Sequence, residues 1–325
     1  MKKVLICSQY FEDWQKHSLN GKLVVKNCEF ILENRLNNNQ KIDFYIFFGL
    51  VENSRSLNII NKKNTLLVLQ EPPSIRIYNQ NYIDQFENIC SYDPIIKHKK
   101  KNNFSPSLWI VGTNRNKNLS NKNLNYKDLY NFEYKKKKKI SVIQSDKVLC
   151  KEHEIRSKII NGIVNEFKGQ IDVFGAGFKK KTVSDKLCAL KDYHYHISIE
   201  NYFGNDYWTE KLADPLIARS NPIYYGCQNL SKYFKEKFYM LKIDDNYHNL
   251  KMIDYILNKK SDKFEFNNSR ELIFTKYNIL NFFCELIDKN YSKNKNLGLI
   301  NPENKLTNFR DIFRRLFYFL ESNFL

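Results

Sequence analysis

The sequence predicts an α/β protein built on two successive sheets, and two observations carry that expectation. Short runs of branched and aromatic residues, the kind that fill buried parallel strands, recur at intervals wide enough for helical crossovers. The same pattern then starts again after a lysine-rich stretch in the middle of the chain. At 325 residues the chain also exceeds the ~250–300 residues at which a single core stops growing.

In chain order, residues 4–7 read as the first buried strand, their apolar stretch being too short for a signal peptide. Phe44–Phe48 and residues 66–69 repeat the pattern, and the segments between them suit helices. From residue 97 to 139 the composition turns to Asn, Lys and Tyr, bounded by Lys97-His98-Lys99-Lys100-Lys101 and by the five lysines 135–139. Such runs are usually solvated loops, and the domain junction is placed here. Residues 140–143 open the second pattern as a strand. A helix follows over 151–167, with Ile155, Ile159, Ile160, Ile163, Val164 and Phe167 on one face. Ile171–Phe174 and residues 194–199 and 222–225 are the next strands. This order gives a first domain over 1–134 and a second over 140–300, two Rossmann-like units facing a cleft. Residues 301–325 stand apart. From Asn308 on, Ile312, Phe313, Leu316, Phe317 and Phe319 alternate with Arg310, Arg314 and Arg315. That is a basic amphipathic helix, suited equally to a membrane interface and to docking on the protein's own core.

Charge and cysteine content narrow the function classes. A net charge of +18 asks for an anionic partner: nucleic acid, an anionic membrane surface or a phosphorylated substrate. The joint enrichment in Lys, Asn, Ile, Tyr and Phe is also what AT-rich codons give, which offers a compositional source for part of the excess. The seven cysteines show no C-x-x-C spacing, so neither a disulfide framework nor a zinc ribbon is indicated, and a reducing cytoplasm suits them. No apolar run approaches the ~20 residues of a membrane-spanning helix. No P-loop is present, and no Ser/His/Asp or Cys/His triad can be assembled from spacing.

The chemistry is concentrated between Asp172 and Gly226. Gly175 and Gly177 follow a strand, but Lys180 leaves the G-x-G-x-x-G fingerprint incomplete, so a tight turn explains the pair as well. A strand ending in Glu200-Asn201 is followed by a loop with Gly204 and then Tyr207-Trp208-Thr209-Glu210-Lys211. Thr209 is a good N-cap, so Glu210 and Lys211 open a helix. Free N–H groups, the helix's partial positive charge and the Lys211 ammonium together make a seat for a diphosphate. Taken alone, Thr-Glu-Lys is also an ordinary helix start.

In order and spacing these residues resemble the α-1,3-fucosyltransferase family, glycosyltransferase family ten. Its signature runs from an aromatic-rich strand into Phe-Glu-Asn, then Tyr-x-Thr-Glu-Lys, then a strand ending near Pro-x-x-x-Gly. Residues 193–201, 207–211 and 222–226 fill those parts. The resemblance is specific over 140–234, weaker over the N-terminal half and absent from the lysine-rich junction. Ile199 stands where Phe is usual and Trp208 where a small aliphatic is common. Pro215 should break a helix begun at Thr209, unless Asp214-Pro215 starts a second one.

The resemblance implies a GT-B fold and an inverting transfer that needs neither metal nor cofactor, with the nucleotide-sugar held mainly by the second domain. It implies that Tyr207, Glu210 and Lys211 contact the donor sugar and diphosphate, that Arg156 binds the diphosphate, and that Glu200 and Asn201 line the same site. It makes Glu71 the catalytic base. The residues agree on Glu71, which follows the strand 66–69 and precedes Pro72-Pro73, a context that holds it extended at the sheet's ligand-binding edge. His194 and His196 share a strand face with Ser198 and Glu200, a conceivable metal pattern. The family places non-ligand residues at both histidines, so no metal is expected.

The expected enzyme is a glycosyltransferase that moves fucose from GDP-fucose to a glycan hydroxyl, on a cell-surface polysaccharide or lipopolysaccharide-type acceptor. A different nucleotide-hexose donor is the alternative within that class. The expected place is the cytoplasm, with peripheral contact to an anionic membrane through the C-terminal helix. The rival from another class is a non-catalytic binder of polyanions or nucleic acid, motivated by the +18 charge. It lacks a recognisable nucleic-acid module, so nucleic acid is not an expected partner.

Overall fold

The computed structural model describes residues 1–8, 14–19, 21–37, 40–49, 60–114, 123–179, 183–260 and 262–303. The helix expected from Asn308 on lies outside the described residues. Contacts divide the chain into two units, one formed by Met1–Ser107 and the segment from Asn278 on, the other by Leu108–Tyr277.

The first unit is built on β1 (Lys2–Cys7), β2 (Val24–Val25), β3 (Cys28–Leu32), β4 (Phe44–Phe48), β5 (Ile60–Asn61), β6 (Thr65–Val68), β7 (Asn88–Cys90) and β8 (Lys101–Asn102), with the short helix α1 (Gln80–Ile83) before β7. Seven of these strands form one sheet in the order β2-β3-β1-β4-β6-β7-β8. Only β2 runs antiparallel to its neighbour. The central strands are apolar on both faces, with Val4, Leu5, Ile6, Phe44, Ile46 and Phe47 all buried, as parallel strands covered on two sides must be.

The second unit runs through α2 (Tyr126–Tyr130), β9 (Lys138–Ile143), α3 (Lys151–Glu166), β10 (Ile171–Phe174), β11 (Tyr193–Ile199), α4 (Glu210–Ile217), β12 (Asn221–Tyr225), β13 (Tyr239–Met240), α5 (Asn246–Asn258) and α6 (Asn267–Phe274). Its five strands are all parallel, in the order β10-β9-β11-β12-β13. The chain therefore steps from β9 to β10 on one side, then crosses to β11 on the other. The crevice at the carboxyl ends of β9 and β11 is the topological switch point, where open α/β sheets bind their ligands.

After α6 the chain returns to the first unit as α7 (Ile279–Asn290) and β14 (Leu297–Gly298), the latter pairing antiparallel with β5. Asn278 donates to the His17 carbonyl, and Phe283 packs on Trp14 with ring centroids 6.2 Å apart. This division differs from the one expected at residues 134–140 and 300. Ile110 and Val111 donate their N–H groups to Asp214, and the Arg270 guanidinium reaches the carbonyls of Leu129 and Tyr130. Those bonds place residues 108–134 in the second unit. A shift to Lys and Asn marks where side chains meet water, and contacts divide elsewhere.

The lysine run 135–139 is also more than a solvated loop. Lys138 and Lys139 begin β9 and pair with Asp172 and Asp262, each at 2.8 Å. The Lys136 ammonium is tucked among the carbonyls of Leu190 and Ala218 and the Ser220 hydroxyl, and burial pushes its pKa down to about 7. Part of the basic charge thus holds the second unit together.

Candidate functional site

The chain leaves β9 into Gln144-Ser145 and leaves β11 into Glu200-Asn201, which sets these four residues at the switch point. The turn after β10 backs onto the first pair. Gly175 has a φ of +92°, and a Cβ there would stand 2.4 Å from the Gln144 carbonyl oxygen. Gly177 donates its N–H to that same oxygen at 3.0 Å. The glycine pair thus serves a tight turn in close contact with β9.

From α3, Arg156 reaches into this crevice and is only 7% exposed. Its Nη1 donates to Asn201 Oδ1, and Nη2 lies 3.5 Å from Ser145 Oγ. Burial lowers its pKa, opposed by the neighbouring Cys150, Glu200 and Tyr207 side chains. Three buried polar atoms here have no hydrogen-bond partner among the described residues: Arg156 Nε, Gln144 Oε1 and His153 Nε2.

The other wall is the loop from Asn201 into α4. Glu200 is wholly buried, and its carboxylate accepts from the Thr209 N–H at 2.8 Å and the Thr209 hydroxyl at 2.7 Å. Burial raises its pKa, while the Lys211 ammonium at 3.9 Å and the Thr209 bonds act the other way. Gly226 is obligatory beside it, because a Cβ there would lie 2.3 Å from Glu200 Cγ. Glu200 therefore shapes the site through Thr209, which caps α4 by accepting the Lys211 N–H. Sequence motifs alone do not separate such a buried buttress from an open ligand group.

Glu210 pairs with Lys211 at 3.0 Å and Lys186 at 3.4 Å. Burial alone would raise its pKa, but the two ammonium groups hold it well below the usual carboxylate range. Tyr207 is buried edge-on to Tyr202 at 5.5 Å. The preceding Asp206 sits at φ +63°, in the left-handed region, and is held there by Asn229, Lys232 and Tyr233 around its carboxylate. No pattern in the sequence signals that clamp.

Pro215 does not divide the helix that follows Thr209. α4 is continuous from Glu210 to Ile217, and Asp214 starts no second helix. Its carboxylate instead receives the N–H groups of Ile110 and Val111 and the Lys186 ammonium. Pro215 only withholds an N–H from the Lys211 carbonyl, and the buried Leu212, Leu216 and Ile217 keep the helix in place.

Arg156, Glu200, Asn201, Tyr207, Glu210 and Lys211 thus gather at one edge of the second sheet. Glu71 belongs to the first unit, three residues beyond the end of β6. Its N–H donates to the Tyr78 hydroxyl at 3.2 Å, and its side chain is exposed, with no hydrogen bond or ion pair among the described residues. Pro72 and Pro73 are buried, so the turn is anchored while the carboxylate stays open. His196 is a core histidine bonded through Nδ1 to Ser141 Oγ at 2.8 Å, and burial lowers its pKa to about 3. Among the described residues no group of three His, Cys, Asp or Glu side chains is placed to hold a metal ion, and no helix is long and apolar enough to cross a membrane.

Two cations and unsatisfied buried donors at a switch-point crevice suit a ligand with more than one negative charge. Residues 133–289 match the model of glycosyltransferase family 10 (fucosyltransferase) C-term. A crystal structure of alpha1,3-fucosyltransferase is similar with a TM-score of 0.50 at 14% identity, over 90% of this chain and 91% of that one. Two others have TM-scores of 0.49. One, with GDP-fucose, is 16% identical over 90% and 93% of the two chains, and the other, with GDP, is 17% identical over 93% of both. The first likeness speaks to the fold, which is α/β with parallel sheets of the GT-B type.

Proposed function

We propose that this chain, whose residues 133–289 match the C-terminal domain of glycosyltransferase family 10 (fucosyltransferase), is a glycosyltransferase that moves fucose from GDP-fucose to a glycan hydroxyl with inversion at the anomeric carbon. The observation that carries this reading is that Arg156 contacts Asn201 and Lys211 lies beside Glu200, which sets two cations at the carboxyl end of β11, inside the segment that matches the family. A nucleoside diphosphate gains charge as its bond to the sugar breaks, and two preplaced cations stabilise that charge without a separate acid. Fucose follows from the family's description. The acceptor is of cell-surface polysaccharide or lipopolysaccharide type, reached from the cytoplasmic side.

In this mechanism Glu71 takes the proton of the attacking hydroxyl, a role for which its open carboxylate is available. The transition state is oxocarbenium-like, as in inverting glycoside hydrolysis. Asn201 and Tyr207 hold the donor, Glu210 keeps the Lys211 and Lys186 ammonium groups in place, and Glu200 supports all of them through Thr209. No step is routed through a metal.

Titration calorimetry with GDP, UDP, ADP and their sugar conjugates, followed by a transfer assay on a glycan panel, tests the reading. GDP and GDP-fucose are expected to bind most tightly. Salt-dependent binding of RNA or DNA with no response to any nucleoside diphosphate would overturn it.

A further inference from the structure

His153 lies three residues before Arg156, so both side chains project from the same face of α3. It is 3% exposed, and its Nδ1 accepts the N–H of Leu149 at 3.1 Å. A ring nitrogen that accepts carries no hydrogen, so the ring proton is on Nε2. Burial, then the charges of Arg156 and Lys211, push the pKa down to about 4, and the ring is neutral at ordinary pH. The Lys147 backbone and the Asn201 side chain both lie near the ring and raise its pKa slightly against burial, but neither meets Nε2 in hydrogen-bond geometry, so Nε2 has no aligned acceptor among the described residues.

A buried donor without an acceptor is destabilising, and it persists where a bound group completes it. The Lys211 ammonium has Glu210 for a partner, whereas His153 Nε2 has no hydrogen-bond partner among the described residues. Its neighbours Arg156, Lys211 and Asn201 are the residues that the proposed function gives to the diphosphate. We infer that His153 is a further donor-binding residue, its Nε2–H donating to a diphosphate oxygen of the nucleotide-sugar held against Arg156. The inference rests on reading this crevice as the diphosphate site. Nε2 keeps its hydrogen in the neutral and the protonated ring alike, so the bond survives if the diphosphate raises the ring's pKa.

Two variants separate ligand binding from support of the fold. His153→Asn keeps an oxygen near Nδ1 for the Leu149 N–H and removes the Nε2 donor. His153→Gln returns an NH2 group close to Nε2. Each is titrated as the full chain with GDP, UDP and inorganic pyrophosphate, and its thermal unfolding is recorded. Diphosphate affinity should fall about tenfold or more in His153→Asn and stay within about threefold of the parent in His153→Gln, with unchanged melting in both.

Parent-like affinity in His153→Asn, beside a clear loss in Arg156→Ala, would refute the role of His153 and leave the proposed function standing. An equal loss in both His153 variants would also refute it, by marking the ring as structural support. If UDP binds and GDP does not, and His153→Asn weakens UDP, the fucose donor is wrong and His153 keeps its role. If the parent binds none of the three probes, both readings fall. Should His153→Asn fail to fold, the nitrogen-15 signal of His153 Nε2 in the parent is the readout. It should move on saturation with diphosphate, and an unmoved signal overturns the inference.

Discussion

Replacing Thr209 with Val removes one hydroxyl from the start of α4 while keeping the branched shape. That oxygen has two tasks: it accepts the Lys211 N–H at 3.3 Å and donates to Glu200 Oε2 at 2.7 Å. Loss of the N-cap acceptor costs about 1 kcal/mol. The second loss is larger, because Glu200 is wholly buried and a hydrogen bond to a charged group contributes about 1.5–3 kcal/mol. Both bonds share one oxygen, so their sum of roughly 2–4 kcal/mol is an upper range. In a unit the size of Leu108–Tyr277 each kcal/mol moves the midpoint by ~2–4 °C. A mid-range loss of ~3 kcal/mol therefore lowers the transition by roughly 6–12 °C. Scanning calorimetry of the full chain reads this directly, and Thr209→Ser should return most of the loss because it restores the hydroxyl. GDP affinity should fall in the Val variant and recover in the Ser variant, since Lys211 is aimed by the same cap. A Val variant melting within about 1 °C of the parent, or a Ser variant as unstable as Val, would refute the account of Glu200 as a buttress.

Arg156→Ala should weaken GDP by about 1.5–3 kcal/mol, the range for a charge-assisted contact, as measured by calorimetry. Glu71→Gln keeps the shape of the side chain and removes its basicity, so transfer should drop by about 10²–10⁴-fold while donor affinity stays nearly intact. A paired transfer assay and donor titration on one preparation checks both halves, and near-normal turnover would move the base to another carboxylate. Acid sensitivity has a defined sign at His196, whose folded pKa of about 3 lies below the ordinary value of 6.5. Between those values the unfolded chain binds the extra proton, so stability rises with pH across the window. Going from pH 4.5 to 7, this one group adds about 2–3 kcal/mol, and urea unfolding of His196→Asn should lack that increment.

Much of the second sheet was legible because its strands are short continuous runs of branched and aromatic residues. Ile171–Phe174 has the expected bounds, and β9, β11 and β12 begin only one or two residues early. Cys28–Leu32 and Asn88–Cys90 escaped notice because a Glu and an Asn interrupt them, and neighbouring strands supply the burial that their own composition does not announce. Arg156, Asn201 and Lys211 were named through the resemblance to a family motif, and the structure brings the three to one edge of the second sheet. Spacing does not reveal depth. Glu200 reads like a ligand group until Thr209 and Gly226 close over it, and His153 passes for one more polar residue on a helix until Leu149 fixes its tautomer. Pro215 misleads in the other direction, because the local penalty it carries is outweighed by side chains that α4 buries on either side of it.

The return of α7 and β14 to the first unit has a consequence for the order of events during synthesis. Residues 108–277 are made between the two pieces of that unit, an interval of roughly ten to thirty seconds at ~5–20 residues per second. Throughout it Trp14 lacks Phe283, Phe104 lacks Phe282, and β5 has no strand to pair with. The second unit emerges whole and can fold at once. The first must wait with those apolar rings uncovered until α7 and β14 are made, and so it is the half open longest to off-pathway contacts.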